Sequence, residues 1–245
     1  MGLSSNSLIH LTKNKNSLMG ILQEEFKIKY CLETIRTSKG PFTAAVPMVS
    51  FCDIPLSEIK NHIKSYGEYG IGLKKVWAKR KGLNPVLYLD SNSTLGGDFL
   101  NAAKEILSGK KFSTYTETET AIGDLLRYMK NYEGELLRDG LTISDYRFSD
   151  EREWRYVPNR KVASMAIGLK EYDTVEKKEK ANSLLGTLSL GFEPNDIAYI
   201  IIKNESEISE FIQSLEDAKG KKYPFHDVKR LTTRIITTDQ ILNDF

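Results

Sequence analysis

Apolar residues recur along this chain at two spacings, and the change from one to the other marks out the elements. Leu8 to Thr12 reads as a short strand, and Asn14 to Asn16 as a turn able to cap a helix carrying Leu18, Ile21, Leu22 and Phe26. Residues 29–47 show no clean period and are expected to be irregular, with a turn at Gly40-Pro41. Met48 to Cys52 is a second strand. Pro55 then opens a helix striped by Leu56, Ile59, Ile63 and Tyr66 and ended by Gly67. Tyr69, Ile71 and Leu73 alternate as a strand, and Val86 to Leu89 form another.

The middle of the chain turns helical. Leu100, Ala103, Ile106 and Leu107 mark one helix, with Asp98 as its expected cap, and Ile122, Leu125, Leu126 and Met129 mark a second. Residues 133–149 read as loop, and 174–186 as a charged, exposed helix. Ala198 to Ile202 is a buried strand, and Glu207 to Leu215 a helix. Leu231 to Thr237 is expected to be the closing strand, with Gln240 to Phe245 a short terminal helix. Strands and helices mix without a βαβ rhythm, which predicts an α+β fold. No repeat or linker stands out, so residues 1–245 are read as one domain.

One stretch breaks the apolar pattern. In Glu151-Arg152-Glu153-Trp154-Arg155-Tyr156-Val157, a strand would place Glu151, Glu153 and Arg155 on one face. Two carboxylates and a guanidinium in a row are costly to bury unless they pair or meet a ligand. Glu153 is therefore either half of an ion pair with Arg155, Arg152 or a base on a neighbouring strand, or a site carboxylate. Near arginines it stays ionised, which suits the stabilisation of developing positive charge better than proton donation.

Composition adds limits. The net charge of +2 gives no general affinity for nucleic acid or membrane, although residues 1–90 carry an excess of six positive charges and residues 91–245 an excess of four negative ones. Much of the basic excess lies in Lys74 to Lys81, read as a solvated helix face or, alternatively, a phosphate-binding patch. Cys31 and Cys52 have no partners at metal-ligand spacing, so no metal is expected, and a reducing, cytoplasmic setting fits. No signal peptide, myristoylation signal or membrane-length apolar run is visible.

Two further segments carry polar groups on or beside strands. His10 and Thr12 share one strand face and suit hydrogen bonding to a ribose, or His10 is a structural histidine. Ser50-Phe51-Cys52-Asp53 runs from strand to helix, where Asp53 is expected to act as an N-cap. His62 reads as structural, while Tyr66 and Tyr69 are packed or stack on a planar ligand. Serine-hydrolase elbows, phosphate-cradling loops and His-Glu-x-x-His pairs are missing from the sequence.

The run Val46 to Leu56, then His62 and Tyr66 to Leu73, resembles the AbiGi family of abortive-infection proteins, as do Ile9 to Thr12, Pro85 to Tyr88 and Glu151 to Arg155. The resemblance spans most of the chain. It implies a phage-defence protein, with a partner protein encoded in the same locus and an antitoxin-like role. The same segments are similar, more distantly, to ADP-ribosyltransferases of the His-Tyr-Glu and DarT type. That likeness implies two small mixed or antiparallel sheets, flanked by helices, forming an NAD cleft. His10 and Thr12 would hold a ribose, Glu153 would stabilise the oxocarbenium-like transition state, and Glu151 would select the acceptor. Ser50 stands at the middle element, Phe51, Tyr66 and Tyr69 are candidates to pack on nicotinamide, and Arg155 joins the NAD-binding set. The chain departs from the transferase pattern at this middle element, which has no matching Tyr or Ser-Thr-Ser stretch. Lys74 to Lys81 would favour a nucleic-acid acceptor or the NAD pyrophosphate.

Overall fold

The structure, a computed structural model, describes residues 4–110, 114–138, 141–159, 166–220 and 223–244. Its elements are mixed α and β, with both antiparallel and parallel strand pairs. Contacts gather in two compact units. The first comprises residues 1–27, 50–83 and 189–245, the second residues 28–49 and 84–188, so neither is one continuous stretch of chain.

In the first unit, strand Ser7–Thr12 pairs antiparallel with Tyr69–Lys74. That strand pairs antiparallel with Ile197–Ile202, which takes Ile235–Thr237 as a parallel neighbour. Ile9 also pairs with Cys52. Ile9, Ile59, Ile63, Ile201 and Ile241 close a core between sheet and helices. The Asn14 side chain caps helix Lys15–Glu24 through the Ser17 N–H, as its position before the apolar stripe suggests. Gly67 ends helix Lys60–Tyr66 at a φ of 119°, and a Cβ there would meet the Thr12 carbonyl oxygen at 2.3 Å. The expected single helix from Pro55 is a short 3-10 turn at Leu56–Glu58 followed by that helix.

Two expectations are corrected here. Asp53 caps nothing: its carboxylate accepts from Ser4 Oγ and the Ser5 N–H and pairs with Lys75 at 2.7 Å, tying down the start of the chain. The Leu231–Thr237 strand is in fact the end of helix Phe225–Thr232 and the short strand Ile235–Thr237. The apolar residues there serve two elements in succession, which a strand-length window merges. Helix Thr238–Asp244 closes the described chain, and Phe245 lies outside the described residues.

The second unit holds most of what the sequence pattern missed. Residues 29–47 are not irregular. Lys29–Ile35 and Phe42–Cys52 pair antiparallel, from Lys29 opposite Met48 to Ile35 opposite Phe42, around a turn containing Gly40 at φ 103°. Ile167–Gly168 lies along the other edge of the same strand. Residues 133–149 are likewise largely a hairpin, Gly134–Arg138 with Leu141–Tyr146. Glu153–Tyr156 pairs with Asn84–Pro85, and Leu87–Leu89 runs parallel to Met129–Asn131. Helix Thr94–Leu107 is capped by Ser93, four residues into which lies Asp98, the expected cap. Helix Glu117–Arg127 carries a capping box, in which Thr116 and Glu119 bond each other's backbone N–H groups. Ile35, Leu100, Ala103, Leu126 and Met129 form this unit's core.

Candidate functional site

The row of charges at residues 151–155 is buried, but not as one strand. Arg152 sits in the left-handed region at φ 44°, so Glu151 ends a 3-10 turn and the strand starts at Glu153. The alternation survives the kink: Glu151, Glu153 and Arg155 are 3%, 4% and 0% exposed, while Arg152, Trp154 and Tyr156 are half-buried.

Burial of these charges is offset by mutual pairing, all within the second unit. Glu153 Oε1 accepts from Arg155 Nε at 2.5 Å. Its Oε2 accepts from Lys130 Nζ at 2.8 Å and from Arg155 Nη2 at 3.2 Å. Lys130 also bonds Glu151 Oε2 at 2.9 Å and lies over the Phe148 ring, 5.0 Å from its centre. Tyr146 donates its hydroxyl to Glu151 Oε1 at 3.0 Å. Arg155 reaches Glu33 at 2.9 Å and donates to the Arg127 carbonyl at 3.0 Å. The Glu153 N–H donates to the Tyr88 hydroxyl at 2.9 Å. The result is a chain of alternating sign, Glu151–Lys130–Glu153–Arg155–Glu33, of three carboxylates and two cations.

The electrostatics follow from this geometry. Burial pushes the Glu153 carboxyl up, but Arg155 and Lys130 outweigh it and hold the group far below the usual carboxylate range. Burial lowers Lys130 and Arg155, and their carboxylates outweigh it and raise both. Burial, reinforced by the Glu153 charge, raises Tyr88. Glu153, Lys130 and Arg155 are each held in the charged form at neutral pH, a state suited to holding a fold together.

His10, Thr12, Ser50, Phe51, Tyr66 and Tyr69 lie in the first unit, and Glu151, Glu153 and Arg155 in the second. His10 Nδ1 is 2.8 Å from the Ser50 carbonyl oxygen. A carbonyl only accepts, so Nδ1 carries the proton and Nε2 is an acceptor. Desolvation lowers this imidazole below its ordinary value, more than the Ser50 bond raises it, and keeps it neutral. Its ring meets Phe26 edge-on and Phe51 at a tilt, in a cluster with Trp77 and Phe192. Phe51 is 1% exposed and packed into this cluster. Thr12 is half-buried at the strand end. Tyr66 stacks on His62, while buried Tyr69 donates to Glu207 at 2.9 Å and stacks on Phe211. Of the basic stretch, Lys75 pairs with Asp53 and Arg80 with Asp196, while Lys74, Lys79 and Lys81 are exposed. Among the described residues, no three His, Cys, Asp or Glu side chains gather as a metal site, and no helix is long and apolar enough to cross a membrane.

Sequence reasoning found Glu153 and Arg155 but missed Lys130, Glu33 and Tyr88. Lys130 lies between buried Met129 and Asn131 on a strand whose first residue the sequence pattern assigns to a helix. Glu33 lies on strand Lys29–Ile35, whose residues show no clean period.

Comparisons with known proteins agree with this chain's resemblance. The model of the AbiGi family, described as an abortive phage resistance protein and antitoxin, matches residues 24–203. The abortive phage resistance protein AbiGi of Lactococcus lactis subsp. cremoris is 26% identical over 223 residues, covering 82% of this chain and 89% of that protein. No solved structure matches. The matched span takes in Glu33, Lys130, Glu151, Glu153 and Arg155. The chain belongs to the AbiGi family of abortive phage resistance proteins.

Proposed function

We propose that this chain is the antitoxin partner of an abortive-infection pair, acting by binding a protein from the same defence locus rather than by turning over NAD. The observation that carries this reading is the state of Glu153: 4% exposed, with both carboxylate oxygens accepting from Arg155 and Lys130. A carboxylate that stabilises an oxocarbenium-like ribose needs an oxygen directed at the ligand. Here Glu153 is directed at the buried Arg155 and the half-buried Lys130. The family description as antitoxin supports the same reading. Binding also needs no nucleic-acid acceptor on Lys74 to Lys81.

The test co-expresses the chain with the neighbouring gene product of its locus. Co-purification, relief of that product's toxicity and absence of NAD loss are the expected results. The opposing reading is an ADP-ribosyltransferase-like fold that acts on NAD through His10, Thr12 and Glu153. NAD consumption by the wild-type chain, lost in a folded Glu153→Gln variant, would establish that reading and overturn this one.

A further inference from the structure

Three arginines of the first unit, distant in sequence, gather about the 3-10 turn Pro194–Asp196 and the start of strand Ile197–Ile202. Arg80 Nη2 donates to both oxygens of buried Asp196 at 2.9 Å. Arg234, just beyond helix Phe225–Thr232, donates from Nη1 to the Pro194 carbonyl at 3.1 Å and to the Ile197 carbonyl. Arg230, in the last turn of that helix, pairs with Asp227 at 3.0 Å and lies near enough to Arg234 to repel it.

Three guanidinium groups thus stand against two carboxylates, and the unmatched one is Arg234. Its carbonyl partners orient it without neutralising it. Nε and Nη2, which together form one bidentate edge, have no partner among the described residues, and neither is buried. Desolvation and then Arg230 hold the half-buried group below its ordinary pKa, so its charge is under strain rather than compensated. Cations are common at helix C-termini, but the carbonyls that Arg234 bonds belong to Pro194 and Ile197 and not to the helix. An oriented guanidinium with an open edge and no counter-charge is ready for a carboxylate.

The helix beside it presents an exposed face. Val228 and Leu231 turn inward, while Phe225 is 66% exposed, with Lys229 Nζ 4.8 Å from the centre of its ring. Arginine beside an exposed aromatic is the composition of protein interfaces. Charge favours a protein over nucleic acid. Arg80 and Arg230 already hold carboxylates, so the cluster takes one further negative charge rather than a row of phosphates.

We propose that this face holds the partner protein, with an Asp or Glu carboxylate of the partner on Arg234 and an apolar side chain of the partner against Phe225. The proposal rests on the antitoxin reading above.

Calorimetry of the purified full chain with the purified neighbouring gene product tests it, beside relief of toxicity in cells. Arg234→Gln keeps a donor for the Pro194 carbonyl but loses the charge, and should weaken binding at least about tenfold. Phe225→Ala should weaken binding about tenfold with an unchanged melting temperature, because the ring is exposed. If Arg234→Gln does not fold, Phe225→Ala and Lys229→Glu, both at exposed positions, decide in its place. Wild-type affinity in the folded variants overturns this face and leaves the antitoxin reading standing. Absence of binding by the wild type overturns both. A duplex oligonucleotide that displaces the partner from the wild type but not from Arg234→Gln overturns the assignment of Arg234 to a carboxylate.

Discussion

Replacing Glu153 by Gln is the sharpest perturbation of the charge network. Gln keeps the shape but has one acceptor and one donor where the carboxylate has two acceptors. Oxygen on the Arg155 Nε side puts the amide nitrogen against Lys130 Nζ and Arg155 Nη2; the flipped amide puts it against Arg155 Nε. Either way a buried donor faces a donor, and Lys130 and Arg155 are left to Glu151 and Glu33. Breaking a buried pair on one side costs about 3–5 kcal/mol. The surviving carboxylates favour the low end, about 3 kcal/mol, which lowers the melting temperature by roughly 6–12 °C in a chain of this size. The loss depends on pH in a definite direction. The folded-state pKa of Glu153 lies below its ordinary value of 4.5, so the carboxylate's contribution is complete above that value and fades as pH falls further. Urea melts of wild type and variant should therefore differ most near neutral pH and converge in acid. A double-mutant cycle with Lys130→Met should show strong coupling. A Glu153→Gln protein with unchanged stability but lost defence in cells would refute the structural assignment of this carboxylate.

Two further perturbations test the first unit. Asp53→Ala removes the acceptor of Ser4, Ser5 and Lys75 and should cost about 2 kcal/mol in urea melts, with faster amide exchange at Ser5; unchanged exchange there would sink the anchoring role. His10→Asn keeps a donor for the Ser50 carbonyl but cannot titrate. Because the folded pKa of His10 is lowered, the unfolded chain takes up the proton first, so wild-type stability should fall as pH drops below 6.5. Between about pH 7.5 and about pH 5.5 the variant should lack that part of the slope, and parallel curves would contradict the buried neutral imidazole.

The parts of the fold that were legible in the sequence were those whose burial is one-sided. Helices such as Lys15–Glu24 and Glu117–Arg127 carry an apolar stripe and a capping residue, and both signals agree. The hairpin Lys29–Ile35 with Phe42–Cys52 hid for the opposite reason. Residues 44–49 are buried on both faces, so they do not alternate, and the facing strand carries Glu33 inward toward Arg155. An inward charge reads as noise until its partner is known. The site shows the same limit. Spacing placed Glu151, Glu153 and Arg155 together, but Lys130 is 23 residues from Glu153 and Glu33 lies on another strand.

The distinction matters for function because a carboxylate's role depends on what its oxygens face. Two cations hold Glu153, one tied to Glu151 and the other to Glu33 and the Arg127 carbonyl. A ligand that recruits that carboxylate competes with Arg155 and Lys130 and weakens their charge-assisted bonds, a loss from a buried network. Since ligand binding would have to offset that loss before stabilising any transition state, the same arrangement that makes residues 151–155 stand out in the sequence disfavours Glu153 as a catalytic group. In this arrangement the network fixes the strand Glu153–Tyr156 against Met129–Asn131 and Lys29–Ile35, and through the Arg127 carbonyl it holds the helix end that carries the one buried guanidinium nitrogen with no partner among the described residues.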